Sequence, residues 1–148
     1  MLSSASKNAI RAILYLAKNS DQQNKINVKS IAEDLESPQP FLAKLLRQLS
    51  SNKLVTSVKG PNGGFYLNKK NKKNYLWDVI VCIDGGYKFD NCFLGLSKCD
   101  HKNPCPVHDT VTPFKENILK IFKEKNIHEL IKEIDDNNTL ISLKGIDL

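Results

Sequence analysis

The chain has 148 residues, 41% hydrophobic and 26% charged, which suits one globular domain, alone or with an appendage, and is too short for a large multidomain enzyme. No stretch approaches the roughly 18 consecutive apolar residues of a membrane helix, and Lys7 and Arg11 interrupt the apolar run near the N-terminus, so neither a membrane span nor an export signal is expected. The net charge of +6 is uneven: residues 1–75 hold 13 Lys and Arg against 4 Asp and Glu, residues 76–148 hold 9 against 12. A basic half points to a polyanion partner, nucleic acid above all. The plainer reading is a solvated lysine-rich surface, such as the Lys69-Lys70-Asn71-Lys72-Lys73 run.

Ser3 or Ser4 can cap a first helix in which Ile10, Ile13, Leu14 and Ala17 recur at helical spacing up to about Asn19. After a polar loop, Asn27 caps a short second helix with Val28, Ile31, Ala32 and Leu35 on one face, and Glu36 and Ser37 make a tight turn. Ser37 is read as the cap of a third helix, with Pro38 at its first position and Pro40 inside the first turn. Phe41, Leu42, Leu45, Leu46 and Leu49 form its buried side, while Gln39, Pro40, Ala43, Lys44 and Arg47 face outward. Two short helices with such a second face are the helix-turn-helix arrangement, whose second helix enters the DNA major groove; a generic helical hairpin gives the same pattern.

Leu54 to Val58 alternates, Gly60-Pro61-Asn62-Gly63-Gly64 is dense turn chemistry, and Phe65 to Leu67 reads as a return strand, so a β-hairpin wing follows. The expected fold is therefore mainly α with a small β-hairpin, a winged helix-turn-helix. Its candidate contacts to double-stranded DNA are Ser37, Gln39, Pro40, Ala43, Lys44 and Arg47 on the helix, and Lys59 and Asn62 at the wing tip. Phosphate contacts release counterions, so binding of this kind should fall steeply with added salt.

Leu76, Val79, Ile80 and Ile83 outline a fourth helix that also holds Trp77 and Cys82, the latter read as a small buried hydrophobe. From Asp84 to His108 periodicity vanishes, and a loop that long is functional or disordered. Thr110 is the expected cap of a fifth helix reaching about Lys125, with Pro113 in its first turn. Its stripe of Val111, Phe114, Ile118, Ile121 and Phe122 is read as a homodimer contact, because helix-turn-helix proteins commonly bind two-fold half-sites. A short last helix holds Ile127, Leu130, Ile131 and Ile134. The expected division is a DNA-binding domain at 1–75, a short helix and cysteine-rich loop at 76–108, and a long dimerisation helix plus C-terminal helix at 109–148.

Cys92, Cys99, Cys105 and His108 lie within seventeen positions, and four such ligands suit zinc or an iron-sulfur cluster. Structural zinc sites pair cysteines two to four residues apart, a pair this chain lacks, whereas the wider gaps suit a larger cluster. His101 and His128 are competing ligands, and reduced, unbound cysteines are the plain alternative. Without an export signal the expected compartment is the cytoplasm, where structural disulfides are rare. A thiol oxidoreductase using Cys99 or Cys105 lacks support: there is no Cys-x-x-Cys, and Gly60, Gly63 and Gly64 lie in a hairpin rather than at a strand-to-helix turn.

The wing Leu54-Val55-Thr56-Ser57-Val58-Lys59-Gly60-Pro61-Asn62-Gly63-Gly64-Phe65, the preceding helices and the Cys92, Cys99, Cys105, His108 set together resemble the Rrf2 family of bacterial winged-helix regulators. The resemblance runs from Ala9-Ile10-Arg11-Ala12 to the long C-terminal helix and implies a dimeric transcription regulator, not an enzyme, whose cluster state sets DNA affinity. In IscR-like members three cysteines and a histidine hold a 2Fe-2S cluster, and the matching positions are the four named. In NsrR-like members an N-terminal Asp joins three cysteines on a 4Fe-4S cluster; Ser6-Lys7-Asn8 has no carboxylate, which favours the 2Fe-2S form, with zinc as the alternative metal. The chain departs from IscR-like members in its first cysteine gap, six residues rather than five. Lys59 replaces the family's wing Arg and gives up the bidentate fork. Ala43 and Lys44 replace a base-reading Glu and Gln, so the DNA sequence preferred by those members does not transfer. A repressor or activator responding to redox state, nitric oxide or iron is what the resemblance implies.

Overall fold

The computed structural model describes residues 2–146; Met1, Asp147 and Leu148, the outermost ends of the expected 1–75 and 109–148 segments, lie outside the described residues. The chain forms α1 (Ser4–Asn19), α2 (Val28–Asp34), α3 (Gln39–Ser51), β1 (Thr56–Val58), β2 (Gly64–Tyr66), α4 (Leu76–Asp84), α5 (His108–Glu124) and α6 (Ile127–Asn137). This is the expected mainly α fold with one small hairpin.

Two helix starts follow from short polar side chains. The Ser3 hydroxyl accepts the Ser6 N–H at 3.0 Å and the Asn27 carbonyl accepts the Ser30 N–H at 2.9 Å, each satisfying a donor with no partner inside the helix. Along α1 the buried face is Ser6, Ala9, Ala12, Ile13, Leu16 and Ala17, rotated from the expected stripe so that Ile10 and Leu14 are only half-buried. The alanines on this face let α3, α4 and α6 pack against one helix.

The start of α3 corrects the expectation. Pro38, not Ser37, holds the cap position, with ψ 126°, and the Leu42 N–H bonds to the Pro38 carbonyl at 3.0 Å. Pro38 and Pro40 have no N–H, so fewer donors at this end need a side-chain acceptor. The Ser37 hydroxyl is buried and unpartnered. Phe41, expected inside, is half-buried, whereas Leu42, Leu45, Leu46 and Leu49 are fully in the core.

In the hairpin Thr56 pairs with Tyr66, Ser57 with Phe65 and Val58 with Gly64. Two of its glycines are required by space. A Cβ on Gly63 would lie 2.2 Å from the Val58 carbonyl oxygen, and one on Gly64, at φ +154°, would lie 2.8 Å from that of Ile26. Gly64 is crowded because Phe65 exchanges both backbone hydrogen bonds with Ile26, at 2.8 and 3.0 Å, tying the wing to the chain just before α2. The lysine run after the wing is no loose linker. Asn71 is buried within it, accepting from Thr56 Oγ1 at 2.7 Å and from the Asn68 N–H at 2.9 Å, and donating to the Lys53 carbonyl at 2.9 Å.

The core joins both halves of the chain: Leu16, Ile31, Leu42, Leu46 and Leu49 pack with Val79 of α4 and Ile127 of α6, and Ile131 and Ile141 close its edge. An aromatic row binds α4 to α5, with Trp77 edge-on to Phe89 at 5.8 Å and Phe89 edge-on to Phe122 at 6.2 Å. Among the described residues no helix is long and apolar enough to cross a membrane.

Candidate nucleic-acid interface and cysteine loop

The start of α3, fixed by the two prolines and by its buried leucines, leaves Gln39, Pro40, Lys44 and Arg47 exposed and Ala43 half-buried. Lys59 and Asn62 are exposed on the tight turn between the strands, which the Gly63 N–H closes on the Gly60 carbonyl at 2.9 Å. This helix face and this turn offer three cations, Lys44, Arg47 and Lys59, to a polyanion. The hydroxyl of Ser37, the other residue expected on this face, is buried and without a hydrogen-bond partner.

The segment between α4 and α5 gains order from a few contacts. Phe89 is buried in the aromatic row, and Lys115 of α5, itself buried, donates to the Asn91 carbonyl at 3.0 Å. Cys92 is buried next to this anchor, on the wall of a cavity of about 440 Å³ that Lys88 and Lys115 also line. All four cysteines are free thiols. Cys99 Sγ lies 3.7 Å from His108 Nδ1, and His108 Nε2 lies 2.9 Å from His101 Nδ1, so the ring of the buried His108 is held on both sides. Burial alone would raise the Cys92 thiol, but the N–H groups of Leu96, Leu94 and Gly95 and the Cys105 thiol hold it below its ordinary pKa.

Of the four expected donors, Cys99 and His108 are in direct contact, and Cys105 is near enough to Cys92 to favour its thiolate. Their chemistry fits an iron-sulfur group: three thiols, one biased toward thiolate, and an imidazole nitrogen directed at a sulfur. Among the described residues, however, no three His, Cys, Asp or Glu side chains are gathered as one metal ion requires. His101, left open between ligand and solvated side chain by the sequence, proves to be a hydrogen-bond partner of His108. His128 is exposed on α6, and Cys82 is half-buried against the core, its carbonyl accepting Gln48 Nε2 at 2.8 Å.

Helix α5 begins at His108 rather than at a Thr110 cap, with Val107 at the cap position and no side-chain acceptor. Pro113 thus falls in the second turn. Of the expected stripe, Phe114 is 54% and Ile121 38% exposed, while Val111, Ile118 and Phe122 are half-buried. Ile118 and Phe122 meet Phe89, Phe93 and Leu2 around an apolar cleft, and Phe93, Leu94 and Leu96 are also more than half exposed. Sequence reasoning missed this extension of the apolar surface into the loop, because Phe93, Leu94 and Leu96 follow no helical period.

The model of the Rrf2 family, described as "Iron-dependent Transcriptional regulator", matches residues 2–133. A protein of Aquifex aeolicus assigned as an HTH-type transcriptional regulator is 41% identical over 125 residues, covering 83% of this chain and 85% of its own. The HTH-type transcriptional regulator NsrR of Oceanobacillus iheyensis is 26% identical over 140 residues, covering 94% and 92%. The solved structure of CymR, the global cysteine regulator of B. subtilis, superposes with a TM-score of 0.70 at 16% identity, covering 90% of this chain and 97% of that one.

Proposed function

The chain belongs to the Rrf2 family, a family of DNA-binding transcription regulators and not of enzymes, and from that premise we propose that it is a homodimeric regulator whose DNA affinity is set by an iron-sulfur cluster on Cys92, Cys99, Cys105 and His108. The observation that carries this reading is the 3.7 Å approach of Cys99 Sγ to His108 Nδ1 at the first residue of α5. It ties the cysteine loop to the helix bearing the apolar stripe, so a change in the loop bears directly on that helix. The Cys92 thiol, held below its ordinary pKa beside Cys105, supports the same reading because thiolate is the ligating form.

Bound there, the cluster supplies a redox centre, and the histidine with the carboxylate-free Ser6-Lys7-Asn8 favours 2Fe-2S over 4Fe-4S. The chain's own residues do the rest. Val111, Phe114, Ile118, Ile121 and Phe122 bury against a second copy, since an apolar surface of this extent marks an interaction site. Lys44, Arg47 and Lys59 hold phosphates, and Gln39, Pro40, Ala43 and Asn62 approach base edges or the minor groove. In this reading 1–75 binds DNA, 76–108 senses and 109–148 assembles the dimer, in the cytoplasm, under redox, nitric oxide or iron control.

A regulator with structural zinc or no metal is the second reading; the absence of any three gathered donors among the described residues favours its metal-free form. Protein purified without oxygen should absorb visible light and contain iron and sulfide. Cys92→Ala, Cys99→Ala and Cys105→Ala should each lose the colour and stay folded. Zinc without colour, or no metal at all, moves the conclusion to the second reading.

A further inference from the structure

We infer that Arg11 is a positioning residue for helix α3, and that it transmits to that helix the placement of the segment following α6. The half-buried guanidinium spans two backbone carbonyls far apart in sequence, donating from Nη2 to Leu35 O at 2.9 Å and from Nε to Ile141 O at 3.0 Å.

Leu35 caps the end of α2 with ψ 0°, and Glu36 follows at φ +52°, a left-handed conformation that is unfavourable for a residue with a side chain. Rotating the Leu35–Glu36 peptide changes ψ of the first residue and φ of the second together, so it is the motion that lets Glu36 leave that conformation. The Arg11 bond to the Leu35 carbonyl holds this peptide in place. Ser37 N–H bonds to the Ala32 carbonyl at 2.9 Å immediately afterwards, and α3 begins two residues on. The peptide thus sits where the angle between α2 and α3 is set.

Its other bond fixes Arg11 itself. Ile141 packs at the edge of the core, and Lys144 pairs with Asp34 at 3.0 Å, the carboxylate that also accepts the Tyr15 hydroxyl. The segment after α6 is therefore strapped across α1 to the end of α2, with Arg11 as the link between strap and turn. This inference rests on the proposal that α3 enters DNA, and is independent of the cluster.

The probe is a DNA duplex that the unaltered protein selects from a random-sequence pool, compared with an unselected duplex. Arg11→Ala should weaken binding to the selected duplex about tenfold, as loss of a charged hydrogen bond implies. Arg11→Lys, which keeps the charge but cannot span both carbonyls, should lose affinity as well. Ending the chain at Asn138 removes one lysine and one aspartate, so net charge is unchanged, and should cost as much. Combining it with Arg11→Ala should cost no more than either alone. The dependence on salt and the affinity for the unselected duplex should not move, because no phosphate contact is lost.

Additive losses, a flatter salt dependence or unaltered affinity would overturn the inference. Should Arg11→Ala not fold, the shortened chain carries the test alone. If the unaltered protein selects no duplex, the DNA-binding reading fails and takes this inference with it.

Discussion

At the scale of single residues, Asp84 shows how a buried carboxylate holds the N-terminus of α1. It accepts from the Ser3 N–H at 3.0 Å and from the Ser3 hydroxyl, and pairs with Lys88 at 3.3 Å. Burial raises its pKa, but the two Ser3 donors and Lys88 outweigh burial and hold the carboxyl below its ordinary value. A folded pKa below the unfolded one means that ionised Asp84 adds stability above about pH 4, lost as the pH falls through the folded value. Asp84→Asn should therefore destabilise the protein by about 1–3 kcal/mol at neutral pH, a difference that shrinks on acidification. Denaturant unfolding across pH checks this, and a pH-independent difference would exclude the ionic contribution. Nothing in the sequence gave the structural roles of Asp84, Asn71 or Arg11, because each acts on a residue distant in sequence, without a spacing rule. The Ser3 and Asn27 caps and the turn that requires Gly63 were legible because their partners lie within a few residues, whereas the contact with Ile26 that requires Gly64 was not.

At the scale of elements, the helices were read from periodicity, and their starts were read well only where a local cap decides them. Helix α5 shows why the rest failed. Thr110 and Pro113 together imitate a capped first turn, but the cap falls three residues earlier, at Val107, and the helix is continuous with the cysteine loop through the His108 N–H to Cys105 carbonyl bond at 3.0 Å. Pro113 then has no N–H to offer the Asp109 carbonyl, and its ring crowds that carbonyl. The turn carrying His108 is thereby less firmly joined to the remainder of α5. Pro113→Ala should restore the bond and raise the thermal midpoint, with up to about 3 kcal/mol available to the helix. A lower midpoint would mean that the proline is accommodated without cost. The approach of Cys99 to His108 was equally beyond the sequence: spacing names the donors but not which of them approach each other.

At the scale of the whole molecule, the winged-helix order was legible in the first 75 residues, and the family match confirms the architecture. What the sequence did not convey is how far the C-terminal half returns to the N-terminal core. Ile127 is fully buried there, Lys18 pairs with Asp135 at 3.0 Å, and the segment after α6 reaches Asp34 beside the turn into α3. The half proposed to sense and assemble is thus built into the half proposed to bind DNA, with α5 packed on α4 and α4 on α3, and the proposal uses this continuity to carry a change at the cysteine loop to α3. The most direct measurement is the affinity of one anaerobic preparation for its selected duplex, before and after its iron is removed by a chelator. The account predicts that the two affinities differ by about tenfold or more, the usual size of a coupling between two sites. Equal affinities, with iron present in the first sample and absent from the second, would contradict it.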